Sequence, residues 1–129
     1  NAGLLVPSSL GITDLAGLKG KRVPRFPADS LGDLVIESNL VAAGLSYDDV
    51  VSVPTANFPA MFQAVKDGAT DVTIAAVGSK PTFDIEASVG GVTFLTLSEA
   101  EGAVLAERMP GTKLRYWKGR PAVPGANDD

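Results

Sequence analysis

Small polar side chains stand at three places where an apolar, strand-like run gives way to a helical pattern. Ser30 follows "KRVPRF", Asn57 follows "VVSVP", and Ser79 follows "DVTIAAV". Each can be the N-cap of the helix that it precedes, and the first turn of a helix offers free N–H groups and the positive end of its dipole. Three helix starts at one sheet edge would suit a carboxylate or a phosphate. Ordinary capping is the commoner role of such residues, so both roles stay open here.

Other side chains near these junctions allow two interpretations each. Phe26 can stack on a ligand or belong to the core, and Lys80 can contact an anion or remain solvated. Asp29 would repel an anion unless it pairs with Arg25 or accepts a hydrogen bond from a hydroxyl or an amine of the ligand. Arg25 itself can reach inward or shield a sheet edge, so its role is undecided.

The remaining charged and aromatic residues of note are expected to be structural. The pattern puts two cations before the strand, at its far end, and two adjacent aspartates in a loop at the opposite edge from the junctions. A further aspartate begins a strand, and the one tryptophan serves packing or contacts missing sequence. These residues are Lys21, Arg22, Asp48, Asp49, Asp71 and Trp117.

Composition excludes several classes of function. The 129 residues contain no cysteine and no histidine, which excludes disulfides, thiolate nucleophiles, Cys/His zinc sites and Ser-His-Asp catalysis. The net charge of −4 with dispersed cations argues against nucleic-acid binding. No glycine-rich phosphate loop is present, and no set of nucleophile, base and oxyanion donors can be assembled. We therefore predict binding without catalysis, with no cofactor and no metal.

Periodicity predicts the elements that must position the junctions. A short helical turn is expected after a Thr13 cap, Ser30 with Asp33 imitates a capping box, and Ser98 with Glu101 forms a true one. The predicted strands cover 4–6, 21–26, 50–54, 71–77 and 92–97, and the predicted helices cover 31–43, 58–67, 80–89 and 99–109. Such alternation predicts an α/β fold, with a mostly parallel sheet flanked by helices on both faces.

The two ends of the sequence look cut from something larger. Residues 1–3 read as an expression scar or a boundary, and residues 118–129 read as an extended tail because prolines and glycines occur there without periodicity. Residues 4–117, which end with the short run "LRYW", are expected to form a single α/β domain.

Several segments in this order resemble a family of transport receptors. They are "ITDLAGLKGKRV", "AAGLSYDDV", "AVKDGATDVTIAAVG", "ASVGGVTFLTLSEAE" and "ERMPG", and the resemblance covers roughly residues 4–125. The sequence is similar to the solute receptors of tripartite ATP-independent periplasmic (TRAP) transporters. Within that group it resembles the branch called TRAP-associated extracytoplasmic immunogenic (TAXI) proteins.

The resemblance implies a type II periplasmic-binding-protein lobe, the second of two lobes that close on a solute. It also implies a periplasmic location, with a signal sequence outside this fragment. The implied partners are a small carboxylate solute such as an amino acid or an organic acid, the permease subunits of a TRAP transporter, and a missing first lobe toward which residues 118–129 lead.

The implied ligand contacts lie at the three junctions. The family loop, often close to "GSPGSGT", corresponds here to "RFPADSLGD", in which Ser30 matches the family serine while Gly32 and Asp33 replace the common Thr-Glu. The "VGSKP" segment matches a turn that faces the cleft. The expected ligand-binding residues are Phe26, Asp29, Ser30, Asn57, Gly78, Ser79 and Lys80.

Two other functions fit part of the pattern. Length and β/α alternation are compatible with a flavodoxin-like cytosolic signalling module, but such a receiver needs acidic residues where this chain has "VPSS" and "VPTAN". An enzyme built on the same receptor fold would need a catalytic set that the sequence does not contain.

Overall fold

The structure, a computed structural model, describes residues 2–76 and 78–109. Strands and α-helices alternate through this part of the chain, with short 3-10 helices at Ser8–Leu10, Leu15–Leu18 and Tyr47–Asp49. The strands are β1 (Ala2–Pro7), β2 (Arg22–Arg25), β3 (Val51–Pro54), β4 (Thr73–Ala76) and β5 (Val92–Phe94). The α-helices are α1 (Leu31–Ala42), α2 (Phe58–Lys66), α3 (Lys80–Val89) and α4 (Glu99–Arg108).

Strand β1 lies at the centre of a three-stranded sheet and runs antiparallel to both neighbours, β4 and β5. Strands β2 and β3 form a separate parallel pair. The α/β fold class is therefore confirmed, but the predicted parallel pairing holds for β2 and β3 and not for β1. Periodicity could not reveal this, because it shows that a segment is a strand without showing its direction relative to its neighbours.

Both faces of the three-stranded sheet are covered. Along β1, Leu4 and Val6 belong to one buried cluster and Leu5 belongs to another, as the alternation of side chains in a strand requires. Ile36 of α1 joins the first cluster, and Ile85 of α3 joins the second. The prediction that helices flank the sheet on both faces is confirmed.

Local boundaries agree with the predictions in most places and differ in a few. Helix α1 ends one residue earlier than predicted, and α4 begins with the predicted capping box. The Leu15–Leu18 turn is capped by Asp14 and not by the predicted Thr13. The Asp14 carboxylate accepts a hydrogen bond from the N–H of Gly17 at 3.1 Å. Strands β4 and β5 are shorter than predicted.

Some predictions concern parts of the chain outside the described residues. They are Val77 at the end of the fourth predicted strand, the run "LRYW" with Trp117, and the tail 118–129. None of the helices in the described part has the length and apolar character needed to cross a membrane.

A partly buried carboxylate, that of Asp71, joins the two sheets at the start of β2. Asp71 accepts hydrogen bonds from the backbone N–H of Arg22 at 2.8 Å and from its Nε at 3.2 Å, while its other oxygen accepts from Nη2 at 2.7 Å. The N–H of Asp71 in turn donates to the carbonyl of Arg22 at 2.8 Å. Both residues were expected to be ordinary surface or strand-end charges, and the structure shows instead a bidentate ion pair between elements far apart in sequence.

This ion pair shifts the pKa values of both side chains. Burial alone would raise the pKa of the Asp71 carboxyl, but hydrogen bonds from the side chain and backbone of Arg22, together with its charge, outweigh burial and lower that pKa below its ordinary value. The hydrogen bond and charge of Asp71 raise the pKa of Arg22. The ionised pair is therefore the stable form in the folded chain.

We expect the Asp71→Asn variant to lose part of the acid sensitivity of folding. A carboxyl whose pKa is lower in the folded state than in the unfolded state stabilises the fold above the unfolded pKa of about 4, and this contribution disappears as the pH falls through the folded pKa. Urea denaturation at pH 7 and pH 3 measures the difference. The exposed Asp48→Asn variant is the matched control, and an equal acid dependence in Asp71→Asn and the unmodified chain would contradict the prediction.

Candidate functional site

Two of the three predicted junctions, those after β2 and β3, lie side by side in the structure. The register of the parallel pair places Arg25 opposite Pro54, so β2 and β3 end side by side. The N–H of Thr55 extends this pairing by donating to the carbonyl of Arg25 at 3.0 Å. The contact between Asp71 and Arg22 places the beginning of β4 beside the beginning of β2. That the end of β4 lies near the ends of β2 and β3 stays a prediction.

The first junction is a capped helix start. The Ser30 hydroxyl oxygen accepts from the N–H of Asp33 at 3.2 Å, which confirms its capping role, and the hydroxyl donates to the carbonyl of Pro27 at 2.7 Å. Asp29 has a φ of +65°, a left-handed conformation that non-glycine residues seldom adopt. This conformation turns the chain sharply into α1 and leaves the Asp29 residue exposed.

Phe26 lies mostly in the core. It is 5% exposed, and its ring centroid is 5.4 Å from that of Phe58, the first residue of α2. Phe58 in turn makes an edge-to-face contact with Phe62 at 6.3 Å. Ligand contact by Phe26 stays a prediction, and the half-buried Phe58 is an aromatic residue near this edge that sequence reasoning assigned only to a helix face.

The second junction is held by local hydrogen bonds. The Asn57 side-chain oxygen accepts from the N–H of Ala60 at 2.9 Å, which confirms it as the cap of α2. Thr55, which is 6% exposed, donates its hydroxyl to the carbonyl of Val53 at 2.9 Å. Asn57 itself is exposed, so its amide is accessible beside the capped helix start.

The third junction differs from its predicted form. Ser79 occupies the N-cap position of α3, but its side chain accepts no backbone N–H of that helix. Its hydroxyl donates to the carbonyl of Ala76 at 2.8 Å, and Thr82 Oγ1 lies 2.6 Å from the same carbonyl oxygen. A capping serine accepts from the N–H of the third helical residue. Here the Ser79 hydroxyl instead lies 3.0 Å from the hydroxyl of that residue, Thr82. Gly78 provides the turn with a φ of +77°.

Lys80 is a solvated cation paired along its own helix. Its ammonium group lies 3.1 Å from Asp84, one turn further on, and the side chain is 83% exposed. An exposed pair of this kind is weak, so Lys80 remains available to other anions.

A shallow open depression lies at the ends of β2 and β3. It is lined by Arg25, Phe26, Pro27, Pro54, Thr55 and Ala56. Its lining is mostly apolar, and Arg25 is the charged residue among these six. The depression therefore combines apolar surface with one cation, which is the composition that a small organic anion requires.

Arg25 is oriented by a residue distant in sequence. Its guanidinium carbon lies 4.1 Å from the centroid of the Tyr47 ring, within cation–π distance. The Tyr47 hydroxyl donates to Asp33 at 2.9 Å, and burial, followed by this hydrogen bond and the charge of Asp33, raises the pKa of the phenol well above its ordinary range. Spacing gave no sign of this arrangement, because Tyr47 begins a short 3-10 helix beyond the end of α1, far along the chain from Arg25.

The adjacent aspartates Asp48 and Asp49 lie in the 3-10 helix that precedes β3, and not at any of the three junctions. Asp49 accepts from the N–H of Ser46 at 2.9 Å and closes a capping box, while Asp48 is exposed beside it. Within residues 2–76 and 78–109, no group of three or more acidic side chains is arranged to hold a metal ion.

Comparison with known proteins gives one family match and several similar folds. A family model described as "NMT1/THI5 like" matches residues 1–107. No curated protein sequence matches the chain significantly.

Three solved structures illustrate the fold similarity. The periplasmic aliphatic sulphonate binding protein SsuA from Escherichia coli is 27% identical with a TM-score of 0.53, and covers 73% of this chain and 29% of its own. The alkanesulfonate-binding protein SsuA from Xanthomonas axonopodis pv. citri, bound to MOPS, is 26% identical with a TM-score of 0.55 over 76% of this chain and 32% of its own. PhnD1 from Prochlorococcus marinus (MIT 9301), in complex with methylphosphonate, is 14% identical with a TM-score of 0.54. The match covers 85% of this chain and 52% of PhnD1.

These findings confirm a periplasmic-binding-protein fold and correct the resemblance drawn from sequence segments. The identification as a TAXI receptor of a TRAP transporter is wrong, because the family model and the similar structures belong to a different group of binding proteins. The chain spans about three tenths of the length of the sulfonate-binding proteins that it matches.

Proposed function

Because the chain belongs to the NMT1/THI5-like family, we propose that it is a solute-binding lobe of a periplasmic receptor for a small organic anion. The observation that carries the proposal is the pair of strand-to-helix junctions after β2 and β3, which lie side by side next to a depression that combines apolar surface with a cation. Helix N-termini and a guanidinium both favour negative charge.

The proposed ligand class is an organic sulfonate or a related oxyanion. Support comes from the two SsuA proteins, which are 27% and 26% identical to this chain and are described as binding aliphatic sulphonates and alkanesulfonates. The apolar part of the depression suits the organic group of such a molecule, and the junctions suit its charged end. Carboxylates such as amino acids or organic acids remain within the same chemistry.

The proposed partners follow from the same relatives. A second lobe would complete the site, and the loaded receptor would deliver its solute to the permease of an ABC transporter, as the description of a SsuA from Methylobacillus flagellatus KT suggests by analogy of fold. We propose a periplasmic location, because similar solved structures are described as periplasmic binding proteins. We also propose binding without catalysis, because those relatives are described as binding proteins and the sequence offers neither histidine nor cysteine. Neither the family match nor the similar structures point to a signalling module.

We expect this chain to bind methanesulfonate weakly at the junction edge. One lobe supplies only part of a two-lobe site, so a dissociation constant on the order of 1 mM is expected. The measurement is a titration of the ¹⁵N-labelled chain followed by backbone amide chemical shifts, at constant ionic strength. Saturable shifts are expected in residues 29–33, 57–60 and 78–82 other than proline.

A neutral analogue of methanesulfonate provides the control for this titration. Dimethyl sulfone has nearly the shape of methanesulfonate without its charge, and it should leave the same amides unshifted. Parallel titrations with methylphosphonate and acetate rank the three anions by their dissociation constants. Shifts that concentrate around Asp48 and Asp49, or an absence of saturable shifts for every anion, would remove the support for the proposal.

A further inference from the structure

Arg25 stands out among the cations of the described residues by its surroundings. It is the last residue of β2, it is exposed, and it contributes to the lining of the depression at the junction edge. The other five lining residues are uncharged, so an anion entering the depression meets one fixed positive charge.

In the part of the chain that the structure describes, no ion pair neutralises the charge of Arg25. The ion pairs found within residues 2–76 and 78–109 involve Arg22, Lys80 and Arg108, each with a carboxylate at 3.1 Å or less. Glu37 and Asp48 line a groove together with Arg25. The Glu37 carboxylate is engaged by Arg108 at 3.1 Å, and neither carboxylate forms an ion pair with Arg25 within the described residues. Arg25 instead packs against a neutral aromatic ring, which orients the guanidinium without cancelling its charge.

The ring is itself held in place at the first junction. The Tyr47 hydroxyl donates to one oxygen of Asp33, and the other Asp33 oxygen lies 3.4 Å from the N–H of Asp29. The N–H of Asp33 is capped by Ser30. The acidic side chain in the first turn of α1 is thereby engaged by Tyr47, and the same contacts fix the ring against which Arg25 lies.

We propose that Arg25 binds the charged head of the organic oxyanion, with Tyr47 as the positioning residue that orients its guanidinium. The inference rests on the proposed function and adds a residue to it. A guanidinium presents a planar pair of N–H donors that matches two oxygens of a sulfonate, phosphonate or carboxylate, whereas a lysine at the same place offers only a point charge.

The test uses the same amide titration with methanesulfonate as the probe. Arg25→Gln should raise the dissociation constant at least tenfold, and Arg25→Lys should raise it about threefold, because the charge remains while the paired donors are lost. Tyr47→Leu removes the ring and should weaken binding severalfold, whereas Tyr47→Phe keeps the ring and should weaken it less. In the unmodified chain the Arg25 side-chain Nε–H signal should shift along with the backbone amides.

A matched charge control separates a contact from a general field. Lys19→Gln removes one positive charge from an exposed position before β2, at the end of the strand opposite Arg25, and should leave the dissociation constant within twofold. Equal affinities of Arg25→Gln and Lys19→Gln would overturn the inference while leaving the proposed function in place. A failure of the unmodified chain to bind any of the anions would overturn both.

Discussion

Replacing Phe94 by alanine is expected to lower the free energy of unfolding by about 4 kcal/mol. Phe94 is 1% exposed and is among the largest fully buried side chains of the described residues. It lies on β5 opposite Leu5 of the central strand, in the cluster that α3 covers with Ile85. Truncation would leave a cavity in this cluster, which is the smaller of the two that cover the sheet. Few neighbouring apolar side chains are therefore available to fill the cavity.

A second phenylalanine provides the matched control. Phe83 on α3 is 42% exposed, and Phe83→Ala should cost less than about 1 kcal/mol because much of its ring already faces water. Chemical denaturation followed by circular dichroism gives both values. If Phe94→Ala does not fold, Phe94→Leu should still unfold at a lower denaturant concentration than the unmodified chain. Equal costs for the two alanine variants would show that the second cluster contributes little to stability.

Replacing Gly32 by alanine is expected to destabilise the fold by about 2 kcal/mol, although alanine favours helices. A Cβ built on Gly32 would lie 2.4 Å from Cγ of Phe26 and 2.5 and 2.6 Å from its neighbouring ring carbons. The ring is 5% exposed and packs against Phe58, so it has little room to move. Overpacking therefore outweighs the gain of about 1 kcal/mol that alanine brings to a helix.

The clash can be tested by a rescue. In the double variant Phe26→Leu with Gly32→Ala, the smaller side chain should accept the new methyl group. The double variant should then be more stable than the sum of the two single effects predicts, which a double-mutant cycle measures. Additive effects would show that the ring and the glycine do not limit each other. Because Phe26 leads directly into the first junction, Gly32→Ala should also alter the amide shifts of residues 29–33.

Local features of the fold were predictable from the sequence because their physics is local. Ser30, Asn57 and Ser98 each accept a hydrogen bond from a backbone N–H three residues later, so a short window contains both partners. The apolar period of α1 fixes its extent for the same reason. Ser79 was the exception, since its hydroxyl bonds to a strand carbonyl that no capping pattern anticipates.

The contacts that define the candidate site could not be predicted in this way. The pairing of Arg22 with Asp71 and the packing of Arg25 on Tyr47 join positions separated by long stretches of chain. Local patterns carry no information on which distant residues meet. Arg25 therefore remained undecided in sequence, and only its position on the depression gave it a proposed role.

The incorrect family assignment has a related cause. The quoted segments contain turn glycines, helix caps and strand runs that a lobe of this fold needs whichever transporter it serves. These segments therefore indicate the fold of the lobe, but they do not indicate which solute it binds or which transporter it serves. The loop "RFPADSLGD" departs from the resembled family's glycine-rich pattern, and in the structure its Gly32 serves the packing of Phe26.

The central position of β1 has a consequence for how the chain folds. Its partners β4 and β5 come much later in the sequence, because Leu4 pairs with Ile74 and Leu5 with Phe94. Pairings between such distant residues require closure of long loops before they contribute stability, and proteins rich in them fold slowly. During synthesis, β1 cannot pair until β4 has emerged from the ribosome, and the sheet cannot be completed until β5 has emerged. The three-stranded sheet is therefore expected to form late, and in one cooperative step.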